Sequence, residues 1–193
     1  DTENLTYFGS FPPILERVLD TAKESGSALE SLKLVYGLEG AENINRLQKE
    51  TGAVFWTGFG QAETTAFVTA SPALECPGAS GRPTLVNSVC VVNEAEELLS
   101  VGEEGEIVVR GENVFLEYWD MADATEYTHR NGWHHTGDIG RFDEEGYLWY
   151  VKRKAEKELI KSGGENVYPG EVETVLMKHS QIEDCCVIGV PDK

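Results

Sequence analysis

Apolar residues recur at helical spacing directly behind Pro12 and Pro13, where Ile14, Leu15, Val18, Leu19 and Ala22 fall on one stripe. A proline pair can open such a helix because the first turn needs no backbone donor. Residues 32–36 form instead a continuous apolar, β-prone run that ends at Gly37, which predicts a strand. Residues 43–50 return to helical spacing with Ile44 and Leu47 inward, and Gly52 breaks that helix before a second strand over residues 53–56. Strand, helix and strand joined by short connections is the pattern of a parallel sheet. The second strand leads into Thr57-Gly58-Phe59-Gly60. Open α/β sheets bind ligands beyond the carboxyl ends of their strands, so a glycine-rich turn at this point stands where a binding loop is expected.

The pattern changes after Pro72. Pro77, Gly78, Gly81 and Pro83 read as a linker, and short strands follow at residues 88–92, 98–99 and 105–111, punctuated by turn residues at 101–105. A hairpin is expected between residues 139–142 and 147–151, turned at 143–146, so this region reads as a small antiparallel β unit. Residues 152–158 contain a single apolar side chain, Ala155, and are expected to be an exposed connector. Beyond them come a short strand at Leu159 and Ile160, a glycine turn, and a helix opened by Pro169. Glu171 and Glu173 lie in the first turn of that helix, where negative charge suits the helix dipole. Val172, Val175, Leu176 and His179 are its expected inner face, and residues 184–190 an expected strand.

The chain has 193 residues, of which 40% are apolar, enough to bury a core; no apolar run approaches the roughly 20 residues needed to cross a bilayer. Its start has neither the basic patch nor the apolar run of a signal peptide, so an intracellular, cytoplasmic protein is expected. Sixteen basic against 34 acidic residues give a net charge of −18, which repels a phosphate backbone and argues against nucleic-acid binding. The acids are dispersed, as expected of a solvated surface. Cys76, Cys90, Cys185 and Cys186 show no CxxC spacing and read as reduced thiols. His129, His134 and His135 with Glu126 lack the spacing that would align three metal ligands.

Three blocks carry the chemistry: Phe59-Gly60-Gln61-Ala62-Glu63 within residues 57–65, Thr136-Gly137-Asp138, and Lys161-Ser162-Gly163-Gly164-Glu165-Asn166-Val167-Tyr168-Pro169. A glycine-rich turn admits close backbone approach to a nucleotide, and a carboxylate beside it suits Mg²⁺. A second carboxylate can accept from two adjacent hydroxyls at once. In this order and spacing the blocks resemble the nucleotide-binding and hinge motifs of the adenylate-forming enzymes, the family of acyl- and aryl-CoA ligases, luciferases and peptide-synthetase adenylation domains. The resemblance covers essentially the whole chain.

That resemblance implies an ATP-dependent, AMP-forming acid:CoA ligase that uses ATP, Mg²⁺ and coenzyme A. A carboxylate attacks the α-phosphorus of ATP, pyrophosphate leaves, and the acyl-adenylate is then converted to acyl-CoA; fatty and aryl acids are both compatible. It implies that Phe59 lies against the adenine, that Gly60, Gln61 and Ala62 form the nucleotide turn, and that Glu63 coordinates Mg²⁺. Asp138 would accept from the ribose hydroxyls and Arg153 would contact the ribose or phosphate. Lys161 and Gly164 would serve the thioester-forming step, with a hinge near Ala155 or Glu156. The implied fold is α/β: residues 1–75 an α/β part of a large domain, residues 76–152 its β-rich subdomain, and residues 153–193 the hinge and opening of a small α+β domain.

Two departures bear on this reading. Ala62 stands where the family has a threonine that helps bind the α-phosphate, which leaves Thr64 or Thr65 to compensate, and Lys152 stands where the family has glycine. Residues 37–42 also differ from the family's Gly-Gly-Ala-Pro form. The family's Ser/Thr/Gly-rich phosphate loop and its C-terminal adenylating lysine have no counterpart in these residues, so the chain reads as an internal fragment, inactive alone. Carrier-protein loading, or a fold that keeps nucleotide binding without the chemistry, are the alternatives.

Overall fold

The computed structural model describes residues 4–154, 160–162 and 165–190. Strands β1 (Tyr7–Ser10), β2 (Leu34–Gly37) and β3 (Val54–Gly60) run parallel, connected by helices α1 (Ile14–Ser25) and α2 (Ala41–Thr51). Strands β4 (Phe67–Pro72) and β5 (Arg82–Pro83) extend the sheet antiparallel, in the order β1-β2-β3-β4-β5. The parallel β-α-β pattern is therefore borne out. The core beneath the helices is Leu15, Leu19, Leu32, Val35, Ile44, Leu47, Ala53, Phe55 and Ala73. Of the expected α1 stripe, Leu15, Leu19 and Ala22 are buried, whereas Ile14 is exposed at the edge. Both helices stop at a glycine in the left-handed region, Gly26 and Gly52, whose amides close onto the last-turn carbonyls.

A second, antiparallel sheet follows in the order β10-β9-β7-β6, built from β6 (Asn87–Val92), β7 (Gly105–Gly111), β9 (Trp133–Phe142) and β10 (Leu148–Arg153), with β8 (His129–Arg130) paired to β9. Phe59, Val68, Val89, Ile107, Val109 and Leu148 pack together and join the two sheets. The expected β9–β10 hairpin forms with Phe142 opposite Leu148. Its turn is fixed by Asp143, whose Oδ1 accepts from the amides of Glu145 and Tyr147 while Oδ2 accepts from the Trp149 indole at 2.7 Å.

Several expectations need correction. Residues 57–60 are the end of β3, because β4 pairs with them and supplies the ladder a free turn would lack. Residues 136–138 lie inside β9. Helix α3 (Ala122–Thr128), in a polar stretch, had no sequence expectation. Lys152 and Arg153 belong to β10, and Lys154 ion-pairs with a buried glutamate, so the first part of the expected connector is structural. Residues 155–159, including Leu159, lie outside the described residues. Strands β11 (Ile160–Ser162) and β12 (Glu165–Val167) form a two-stranded hairpin, followed by α4 (Pro169–Leu176). No residue of α4 is buried, and Val175 is 65% exposed, so the expected inner face has no cover among the described residues. Residues 184–190 form no strand, since they pair with no neighbour; the Val187 amide is taken instead by the Glu173 carboxylate at 2.7 Å.

Candidate functional site

Three irregularities in strand pairing meet where the motif residues lie. Between β3 and β4 the register slips at Phe59/Gly60, between β7 and β9 it slips at Glu106/Val108, and between β9 and β10 at Tyr150/Lys152. In the second of these, one residue of β7 stands against three of β9, Thr136, Gly137 and Asp138. The motif is thus a bulge inside a strand. Gly137 sits at φ +71°, a conformation glycine adopts without steric cost, and bulges of this kind re-aim the side chains beside them.

The bulge presents Asp138, which is 1% exposed. Its Oδ1 accepts from Arg153 Nε at 3.0 Å and its Oδ2 from Gln61 Nε2 at 2.5 Å. Gln61 Nε2 also donates to the Thr136 carbonyl, and Gln61 Oε1 lies 3.2 Å from His134 Nε2. Three sequence-distant segments, the end of β3, the bulge of β9 and the end of β10, are thereby tied together at one carboxylate. Gly60 is needed for this junction, because a β-carbon there would stand 2.3 Å from the Ala66 carbonyl oxygen.

Two residues beyond Gln61, Glu63 rides on a single 3₁₀ turn, Ala62–Thr64. The turn is locked by the fully buried Thr64, whose hydroxyl lies 3.0 Å from the Gln61 amide and 2.9 Å from the Ala66 carbonyl. The segment after β7 wraps over it. Asn113 Nδ2 donates to the Thr64 carbonyl, Thr65 Oγ1 donates to the Asn113 carbonyl, the Phe115 amide donates to the Glu63 carbonyl, and Tyr118 Oη donates to Glu63 Oε1 at 2.7 Å. Burial, and then the neighbouring Glu63 carboxylate, push the Tyr118 hydroxyl up to about 12, so it is a permanent donor near neutral pH. The expectation that Thr64 or Thr65 substitutes for the missing Ala62 hydroxyl is corrected here: the Thr64 hydroxyl is sealed inside its own turn, and that of Thr65 is held by Asn113.

A cluster that the sequence reading missed backs the bulge. Glu106 is 6% exposed; its Oε1 accepts from the Gly137 amide, and its Oε2 lies 3.0 Å from His135 Nδ1, 2.9 Å from Lys154 Nζ and 3.3 Å from Arg130 Nη2. Burial alone would raise this carboxyl, but the hydrogen bonds from His135 and Lys154 outweigh it and hold Glu106 at about 2. The available signal was an acid at the start of an otherwise apolar strand, where a charge is buried only if it is paired. Adjacent residues of a strand face opposite ways, and so His134 turns to Gln61 while His135 turns to Glu106. Among the described residues no group of three His, Cys, Asp or Glu side chains is arranged to hold a metal ion.

The structure accordingly brings Gln61, Asp138 and Arg153 together, with Gly60, Ala62 and Glu63 in the segment that carries Gln61. Phe59, expected to lie against an adenine, is 8% exposed and packs in the core joining the sheets, beneath the turn. Lys161 lies on β11 opposite Asn166, and Gly164 lies outside the described residues. A cleft of about 330 Å³ adjoins the site, lined by Val114, Phe115, His129, Trp133 and His134 among others.

Fold and site together define an α/β protein in which one buried carboxylate, Asp138, is tied to Gln61 and Arg153 from neighbouring segments. The family model "AMP-binding enzyme" matches residues 1–119, and the chain belongs to that family. It is 34% identical, over its full length and 40% of the relative's, to a feruloyl-CoA synthase of Amycolatopsis sp.. Over 76% of the chain and 26% of the relative it is 39% identical to a long-chain-fatty-acid–CoA ligase of Escherichia coli O157:H7. Among solved structures, O-succinylbenzoate coenzyme A synthetase of Bacillus subtilis in complex with ATP and magnesium ion superposes with a TM-score of 0.75 at 28% identity, covering 98% of this chain and 40% of that one. The chain thus spans 40% or less of the length of these relatives. Among the described residues no helix is long and apolar enough to cross a membrane.

Proposed function

We propose that the protein carrying this chain is an ATP-dependent, AMP-forming acid:CoA ligase, and that this chain supplies the ribose- and magnesium-binding side of its active site. The observation that carries the reading is the Asp138 carboxylate, buried, oriented from both sides by Gln61 and Arg153, and adjoining the turn that bears Glu63. In this reading Asp138 accepts from the two ribose hydroxyls, for which a two-oxygen acceptor is the matching shape. Arg153, 43% exposed and fixed in charge, then reaches the ribose or α-phosphate while its Nε stays on Asp138.

The residues present fit a magnesium ion. Mg²⁺ takes one or two protein carboxylates together with substrate phosphates and water, and a lone, partly exposed glutamate on a rigid turn is that donor set. Glu63 would hold the ion, which when bound neutralises charge on the phosphates. Ala62 contributes no hydroxyl to the α-phosphate, so charge neutralisation rests more heavily on Arg153 and Glu63. Lys161 and Gly164 serve the second, thioester-forming step in the same proposal, with coenzyme A as acceptor, and residues 153–193 begin the smaller domain. Similarity to a CoA synthase, a CoA ligase and a coenzyme A synthetase supports free coenzyme A over a carrier thiol.

Calorimetric titration with ATP, with and without Mg²⁺, tests the site. Binding is expected, weakened about tenfold by Asp138→Asn, an effect of about 1.4 kcal/mol. Binding that ignores that substitution overturns the ribose assignment. Pyrophosphate release with a panel of fatty and aryl acids then reads the activity of the whole protein, and vigorous turnover by these 193 residues alone would contradict the view that further segments are essential.

A further inference from the structure

Glu63 is attached to a turn of only three residues, whose internal Thr64 bonds hold the backbone but do not fix the rotamer of the carboxylate. The segment 113–118 braces the turn from outside and bonds to that carboxylate. Its contacts alternate along the turn: Asn113 grips the backbone of Thr64 and the hydroxyl of Thr65, the Phe115 amide takes the Glu63 carbonyl, and Tyr118 takes the Glu63 side chain. Tyr118 is held in turn. Its amide donates to Thr125 Oγ1 at 3.0 Å, and its ring meets that of Phe115 edge-on at 4.7 Å between centroids. The chain of support therefore runs from α3 through Tyr118 to one oxygen of one carboxylate.

We infer that Tyr118 is a positioning residue for the magnesium carboxylate, fixing Glu63 by its hydroxyl so that the carboxylate's orientation is set before the metal–nucleotide arrives. This rests on the proposed reading that Glu63 holds the metal. A free glutamate side chain carries substantial rotamer entropy that metal binding must remove, and a donor that has already selected the rotamer takes that cost out of the binding step. A neutral phenol is suited to the task because it orients the carboxylate without cancelling the charge the cation needs. Partners of metal-ligating groups typically change metal affinity 10- to 100-fold when removed.

Mn²⁺ is the probe, titrated into the full-length protein with a non-hydrolysable ATP analogue and followed by its electron-spin resonance signal. Tyr118→Phe keeps the ring against Phe115 and removes only the hydroxyl. It is expected to weaken Mn²⁺ binding about tenfold, to raise the Mg²⁺ concentration at half-maximal rate to match, and to leave metal-free nucleotide affinity and the melting temperature nearly unchanged. Glu63→Gln is the reference and should weaken Mn²⁺ binding further. If Glu63→Gln lowers Mn²⁺ affinity and Tyr118→Phe does not, the positioning role is wrong while the metal site stands. If neither substitution alters Mn²⁺ binding, the metal assignment fails and this inference falls with it. A loss of metal-free nucleotide affinity equal to the loss with metal shows that Tyr118 supports the pocket in general, which also overturns the inference.

Discussion

Asp138 and Glu106 are neighbours on β9 and β7, both buried, both bonded to cations, yet they are built for different work. Every bond that Glu106 makes is to the protein: the Gly137 amide, His135, Lys154 and Arg130, drawn from β8, β9 and the residue after β10. Asp138 is held by two side chains, and the charged one, Arg153, is 43% exposed. A buried carboxylate saturated by internal donors is a fastening, whereas one whose partners open to solvent can share them with a ligand. The two are coupled through Gly137, whose amide binds Glu106 and whose left-handed backbone turns Asp138 toward Gln61. The comparison predicts that damage at Glu106 appears first in stability and damage at Asp138 first in binding.

The largest effect should follow Glu106→Ala. Removing the carboxylate leaves His135 buried without this partner and strips Lys154 of its ion pair, while Arg130 keeps Glu96, so the loss is on the order of 3 kcal/mol, the lower end for a broken buried pair. Urea unfolding measures it; a loss below about 1 kcal/mol would mean that the cluster relaxes into water and that the contrast with Asp138 is unfounded.

Acid provides the next test. The folded Glu106 carboxyl lies at about 2 against an ordinary 4.5, so its pKa is depressed in the native state. Its contribution is therefore fully present above about pH 4.5 and is lost as pH falls from there toward 2, amounting to roughly 3 kcal/mol by the linkage of proton binding to folding. In Glu106→Gln this window of pH dependence should flatten. An unchanged acid profile would assign the acid sensitivity to other carboxylates.

How much of this was legible in the residues varies with the kind of interaction. Helices α1 and α2 follow from local periodicity, since each buries one stripe, and strands β2, β7 and β10 from short apolar, β-prone runs bounded by turn residues. Gly58 and Gly60 read as a turn because glycine is locally permissive; only the distant partner β4 makes them strand. Gly137 likewise marks a turn in sequence and a bulge in structure, a distinction set by β7. Of the motif residues expected at one site, Gln61, Asp138 and Arg153 bond to one another, and Glu63 follows Gln61 by two residues. Tyr118 and Glu106 were missed, because one acts through a single hydroxyl and the other through side chains 24 to 48 residues away. That Phe59 also belongs to the core was not legible, because its neighbours Val89 and Ile107 come from the second sheet.

A smaller effect is expected at Asp138 itself. Asp138→Asn keeps the shape and one acceptor, so the fold should lose only about 1 kcal/mol while nucleotide affinity falls about tenfold. The ratio of the two losses is what matters. If stability falls as far as it does in Glu106→Ala, both carboxylates are fastenings and the open character of Asp138 has been misjudged.

The finest test is Arg153→Lys, which preserves the charge and removes the fork. Arg153 bonds Asp138 through Nε of a planar, multi-donor guanidinium, while lysine offers one ammonium that can serve either Asp138 or a phosphate but not both in the same geometry. Because the pair is 43% exposed on the arginine side, its value to folding is that of a surface ion pair, about 0–1 kcal/mol, and the melting temperature should scarcely move. Nucleotide binding should weaken a few-fold, and more for ATP than for adenosine if the proposed contact of Arg153 with phosphate holds. Equal weakening for ATP and adenosine would place the role of Arg153 at the ribose alone, working through Asp138. No change for either would detach Arg153 from the ligand and leave Gln61 as the side chain that orients Asp138.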